Sequence, residues 1–175
     1  MKKTTANILV LLLSLAFTSG AFAIDLVDTN GRPDRLNSTV KTNGWTLVML
    51  WAHDCVPCER QKPLIEKYYR LNKARGFSVV GISTDAKSLR HKATETYRAS
   101  KTSFTNYYFE GENFSESYDR FTGRDFLGTP TYMVYDPNGK LRGTHTGTVN
   151  KDMLDKQFLP VLKEPEFTPS VDLIR

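Results

Sequence analysis

Trp45-Thr46-Leu47-Val48-Met49-Leu50-Trp51 carries no charge and is rich in aromatic and β-branched side chains, and Cys55-Val56-Pro57-Cys58 follows almost at once. A run this short and this apolar reads as a strand buried on both faces. From Pro57 the pattern changes. Leu64, Ile65, Tyr68, Tyr69 and Leu71 recur at roughly helical spacing with charges between them, and Gly76 stands where a C-cap is needed. Two cysteines therefore sit at the junction where a buried strand turns into an amphipathic helix. Such a strand needs a sheet covered on both faces, which restricts the chain to an α/β architecture.

The remaining segments extend that architecture. Asp28-Thr29-Asn30-Gly31 is a turn, expected to join short strands near Asp25–Val27 and Asp34–Leu36. Phe77–Ser83 is a second buried strand. Residues 86–101 and 112–121 are expected to be helical, with a short extended segment over 104–109. Thr131–Tyr135 is a third strand, and Asp136-Pro137-Asn138-Gly139 turns it into a fourth over Lys140–Gly147. A last helix covers 151–162 behind Asn150 as N-cap. The order implies a central mixed sheet, a βαβ unit followed by a late hairpin, with helices on both faces.

The N-terminus reads as an export signal. Lys2 and Lys3 give a positive start, Ile8–Phe17 is almost wholly apolar, and Ala21-Phe22-Ala23 supplies a small-residue exit. The expected cut follows Ala23, which places the chain in the periplasm. The alternative, an uncleaved anchor, is disfavoured because spanning a bilayer takes about 20 apolar residues. The expected division is a signal peptide over 1–23, one domain over 24–163 and a C-terminal tail over 164–175. The net charge of +5 falls to +3 without residues 1–23. No basic run with interleaved aromatics exists, so nucleic acid is not an expected partner. A monomer is the expected state.

The sequence contains two cysteines, two residues apart. Export puts them where disulfides persist. A bridge closing so short a loop constrains the unfolded chain very little, so the pair is a poor staple and a plausible redox centre. Exchange needs one thiolate to attack and a second thiol close enough to resolve the mixed disulfide. At a helix start, the dipole and the free N–H groups favour the thiolate of the first cysteine. Cys55 is therefore the expected nucleophile and Cys58 the resolving thiol. Pro57 suits the first helical turn. No metal is expected. Zinc wants four ligands and no second C-x-x-C exists, though His53 with the cysteines would suit a soft ion such as Cu(I). Glu59, not His, follows Cys58, which excludes covalent haem attachment.

Trp51-Ala52-x-x-Cys55-x-Pro57-Cys58, Pro63 five residues beyond Cys58, and Thr129-Pro130-Thr131 before the third strand together resemble the thioredoxin superfamily. Within it the chain is similar to the exported TlpA/ResA/DsbE-like branch. It shares that branch's N-terminal Asp28-x-Asn30-Gly31 hairpin, the helical insertion after the second strand and the Asp136–Lys140 turn. The resemblance implies a thioredoxin fold and a thiol–disulfide oxidoreductase that needs no cofactor beyond its Cys55–Cys58 disulfide. It implies a cis Thr129–Pro130 bond in a substrate groove, with Trp51 and Pro57 as further groove residues. It also implies protein thiols or disulfides as partners, a reducing direction as in cytochrome c maturation or exported-protein thiols, and a membrane electron donor of the DsbD/CcdA type.

The chain departs from the family's pattern at informative places. Six residues before the first cysteine, where many thioredoxins carry a buried Asp, stands Met49. Three residues after the second, where ResA-like proteins place a Glu, stands Gln61. The residue before the nucleophile is Asp54 rather than Trp. A carboxylate there opposes a thiolate and a protonated His53 favours one, making His53 and Asp54 candidate tuning residues. Trp45, Trp51, Phe77, Tyr132 and Tyr107–Phe109 are expected in the core, with a groove role for Trp51 as the alternative because it lies so near the dithiol, and His91 and His145 are expected at the surface. The rival readings are a disulfide oxidase, a copper-binding or chaperone module using the same cysteines, and a peroxidase. The last needs a Thr/Ser-x-x-Cys setting that His53-Asp54 does not provide.

Overall fold

The computed structural model of the chain describes residues 23–162. The expected signal segment, apart from Ala23, and the C-terminal tail lie outside the described residues. The strands are β1 (Asp25–Asp28), β2 (Pro33–Arg35), β3 (Thr46–Trp51), β4 (Ser78–Ser83), β5 (Thr105–Phe109), β6 (Thr131–Tyr135) and β7 (Leu141–Thr146). The helices are α1 (Leu36–Thr39), α2 (Val56–Asn72), α3 (Arg90–Ser100), α4 (Phe114–Thr122) and α5 (Lys151–Leu162). No described helix is long and apolar enough to cross a membrane.

All seven strands form one sheet in the order β2-β1-β5-β4-β3-β6-β7. β3, β4 and β5 run parallel, while β1, β2, β6 and β7 add antiparallel pairs at the two sides. β3 is buried at every position, which explains its unbroken apolar sequence. Leu47, Met49 and Trp51 face one core with Ile65, Tyr68, Phe77 and Phe158. Val48 and Leu50 face the other, with Leu36, Ile82, Phe114 and Met133. The first core lies under α2 and α5, the second under α1 and α4.

The element reading holds, with three differences. The strand expected over Asp34–Leu36 stops at Arg35, and Leu36 instead opens α1 with its side chain buried. The segment at 104–109 is a full member of the sheet. It pairs with β4 on one side and β1 on the other, so it ties the N-terminal hairpin to the centre. Its Tyr108 and Phe109 enter opposite cores. Leu71, counted on the apolar face of α2, is 64% exposed, and that face is completed by Asn72, whose Nδ2 donates to the Tyr68 carbonyl at 3.0 Å. Gly76 caps the 3₁₀ turn Lys73–Arg75 that follows α2, with φ of +79°. Trp45 is partly buried, Trp51, Phe77 and Tyr132 are buried, and His91 and His145 are exposed, as expected.

Beneath the cysteines, Trp51 is fixed by a side-chain bond. Its Nε1 donates to Asn106 Oδ1 at 2.9 Å across β4. The space for that bond comes from Gly81, where a Cβ would stand 2.6 Å from Asn106 Oδ1 and 3.1 Å from the Phe104 ring. Gly81→Ala is expected to push Asn106 away and cost about 2 kcal/mol through overpacking. The check is a lower urea midpoint at an unchanged m-value, together with altered tryptophan fluorescence.

Candidate active site

The site grows out of the C-terminal end of β3. After Trp51 the chain turns, with the Cys55 N–H donating to the Ala52 carbonyl at 3.2 Å. Cys55 is then the N-cap of α2 in an extended conformation, and Pro57 takes the first turn, where no N–H partner is needed. Cys55 and Cys58 are joined by a disulfide. Cys55 is 8% exposed and Cys58 is fully buried. The Cys58 backbone N–H is shared, reaching the Cys55 carbonyl at 3.0 Å and Cys55 Sγ at 3.2 Å, so an N–H of the helix start points at the outer sulfur. That is the arrangement which favours a thiolate there once the bridge is reduced.

The Thr129–Pro130 bond is cis. The antiparallel register of β3 and β6 pairs Leu50 with Thr131, so Pro130 continues opposite Trp51 at the cysteine end of the sheet. Thr129 is half-buried and makes no backbone hydrogen bond among the described residues, whereas the Pro130 ring is buried and its carbonyl accepts from Gly147. Pro57 and its neighbour Val56 are exposed. Trp51, expected as a groove residue, is only 1% exposed. Its bond to Asn106 turns the indole inward, beneath the cysteines, so it supports the site from below.

His53 and Asp54 behave differently from each other. Asp54 is exposed. His53 is gripped by Asp85, a residue the sequence did not single out. Its backbone N–H donates to Asp85 Oδ2 at 3.0 Å, and its Nδ1 lies 2.6 Å from Asp85 Oδ1. A carboxylate only accepts, so Nδ1 carries the proton in this pair. Ser83 Oγ also donates to Asp85 Oδ2, at 2.6 Å. A signal for Asp85 existed: Trp51 and Ser83 are register partners in the parallel β3–β4 pair, and His53 and Asp85 each follow by two residues. One ligand atom each of His53, Asp54 and Asp85 lies within 4.8 Å of the others. With the Asp85 oxygens already accepting from His53 and Ser83, the cluster works as a latch on the loop before Cys55.

The two positions that lack the usual carboxylates are filled structurally. Met49 is wholly buried. Gln61 Oε1 accepts from the Tyr132 hydroxyl at 3.1 Å and the Val149 N–H at 2.7 Å, tying α2 to β6 and to the loop before α5. Burial pushes the Tyr132 hydroxyl well above its ordinary pKa, so it serves as a neutral donor. A further residue missed in the sequence is Lys62. It is 2% exposed, donates to Glu59 Oε1 at 2.5 Å and places Nζ 3.9 Å from the centre of the Trp51 ring.

Asp85→Ala removes an acceptor from a largely buried position and strands the His53 N–H and the Ser83 hydroxyl. The expected cost is about 2 kcal/mol. Hydrogen exchange should show residues 52–55 losing protection before the sheet does, with the overall loss read from a denaturant midpoint.

Comparison with known proteins agrees with this geometry. The AhpC/TSA family pattern matches residues 19–144. The thiol-disulfide oxidoreductase ResA of Bacillus subtilis is 26% identical over 148 residues, covering 81% of this chain and 73% of its own length. A protein assigned as the thiol:disulfide interchange protein DsbE of Chlorobium tepidum superposes with a TM-score of 0.65 at 28% identity, covering 81% of this chain and 94% of that one. The thioredoxin domain of a thiol-disulfide oxidoreductase from Bacteroides vulgatus shares the fold, with a TM-score of 0.66 at 23% identity over 85% of this chain and 99% of that domain. The chain therefore belongs to the AhpC/TSA family, and within it to the thioredoxin-fold thiol–disulfide oxidoreductases of the ResA and DsbE type.

Proposed function

We propose that the chain is a periplasmic reductant of protein disulfides, acting on exported proteins or on the thiols of cytochrome c maturation, with Cys55 as nucleophile and Cys58 as resolving thiol. The observation that carries the assignment of roles is the Cys58 N–H aimed at the sulfur of the more accessible cysteine, above a partner sulfur that is fully buried. In the reduced protein the Cys55 thiolate attacks a substrate disulfide. A bond forms between Cys55 and one substrate sulfur, and the other substrate sulfur leaves as thiolate. The Cys58 thiolate then attacks Cys55 Sγ, the Cys55–substrate bond breaks, and the second substrate sulfur leaves. Two electrons have passed to the substrate and the Cys55–Cys58 disulfide remains.

Several features support a protein substrate. The Thr129 backbone is free to pair with an extended segment in the manner of strand addition. Val56 at 59% and Leu127 at 77% exposure offer apolar surface near the two loops that carry the cysteines and Thr129. Export is supported by the positive start, apolar run and Ala-x-Ala exit within residues 1–23. The reducing direction, and a membrane dithiol donor of the DsbD/CcdA type to recharge the pair, are what the resemblance to the TlpA/ResA/DsbE-like branch implies.

Two measurements test this. Cys58→Ser should accumulate a stable mixed disulfide with a disulfide-containing peptide while Cys55→Ser forms none on the same timescale; adducts on Cys58 instead would reverse the roles. Equilibration of the couple against dithiothreitol and glutathione buffers should give a potential near that of thioredoxin, about −270 mV; a value near that of DsbA, about −120 mV, would make the chain an oxidant.

A further inference from the structure

The buried stripe of α2 runs Cys58, Lys62, Ile65, Tyr68, Asn72. Lys62 is the one buried lysine among the described residues. It occupies a core position one helical turn from Cys58, where side chains four residues apart are neighbours. An apolar side chain would fill this position at no electrostatic cost, so packing alone gives no reason for an ammonium. Two contacts hold it: the bond from Nζ to Glu59, which directly follows Cys58, and the face of Trp51, which shares a core cluster with both cysteines. Burial lowers the Lys62 pKa and the Glu59 carboxylate works to raise it.

The need for a charge lies with Cys58. In the reading above it must ionise while fully buried, and apolar surroundings oppose that. Among the described residues no other buried lysine or arginine exists, and His53, on the loop before Cys55, has its Nδ1 bonded to Asp85. On β3, Met49 and Trp51 are uncharged. On β6, the Tyr132 hydroxyl is neutral and committed to Gln61. From α5, Leu154 and Phe158 are apolar, and Asp155 pairs with Lys151. Glu59 is the charged group recorded against Lys62, and it is 39% exposed on its side chain.

We propose that Lys62 is a positioning residue of the resolving step, its ammonium held by Glu59 and Trp51 so that the Cys58 thiolate forms against a buried positive charge. The inference rests on Cys58 being the resolving thiol. In the mixed disulfide the Cys58 thiol gives its proton to solvent base and its sulfur bonds to Cys55 Sγ. The Cys55–substrate bond breaks and the substrate sulfur carries the negative charge away. Glu59 faces Lys62 throughout, whereas the negative charge on Cys58 that Lys62 stabilises exists only while Cys58 is a thiolate.

The test follows the reaction of the reduced protein with 5,5′-dithiobis(2-nitrobenzoate). Attack by Cys55 releases one thionitrobenzoate, and attack by Cys58 on the resulting adduct releases the second. In Lys62→Met, and independently in Lys62→Gln should the first variant not fold, the first phase should keep its rate. The pH midpoint of the second phase should rise by about one unit, making that phase about tenfold slower below it. A second phase whose pH profile matches the unaltered protein in a folded variant would overturn the role of Lys62. Absence of a second phase in the unaltered protein would instead overturn the assignment of Cys58 as resolving thiol, and with it this inference.

Discussion

The parallel pairing of β3 with β4 is the constraint on which the site depends. It aligns Trp51 with Ser83 at the same edge of the sheet. Everything chemical lies just beyond that edge: His53 and the cysteines after β3, Asp85 after β4, and, through the antiparallel β3–β6 pair, Thr129 and Pro130 before β6. Six ladder positions in β3 are buried on both faces, so a slip of one residue would exchange the two cores. The register is thus held by apolar burial on both sides, and the reactive loops inherit their alignment from it.

A second level of organisation is polar and lies inside the first core. Trp51 is hydrogen-bonded to Asn106, and the opening at Gly81 makes that bond fit. Lys62 lies over the same indole, and Gln61 ties α2 to Tyr132 and Val149. Buried polar groups are costly unless each finds a partner. Here the partners come from four different strands and helices, so the base of the dithiol is rigid while its outer sulfur remains accessible. The helix start needs no separate device to activate Cys55, because the Cys58 N–H in its first turn already reaches the sulfur.

Legibility in the sequence follows from how local the cause is. β6 over Thr131–Tyr135 and the last helix behind Asn150 match their expected extents, since turn residues and a cap mark them within a few positions. Leu36 was misread because its apolar side chain fits a strand pattern equally well until the hairpin places it over the second core. Trp51 is in the core as its apolar strand suggests, but its candidacy for the groove does not hold, because proximity along the chain to Cys55 says nothing of which way an indole turns; a residue 55 positions later decides that. Lys62 escaped notice because a lysine among helical charges looks solvated, and only the packing of α2 against β3 buries it.

The amino-acid sequence by itself determined the elements, the mixed sheet with helices on both faces, and the placement of a reactive cysteine pair at a strand-to-helix junction. These are consequences of period, turn chemistry and capping, all of which act over a few residues. Tertiary structure alone decided the join of β5 to both β1 and β4, the latch of Asp85 on His53, and the choice of Gln61 as a tie and Lys62 as a buried cation. Each of these depends on which groups share a dry interior, where a hydrogen bond or a charge has no water to fall back on. That choice is made by long-range pairing and not by neighbours in the chain.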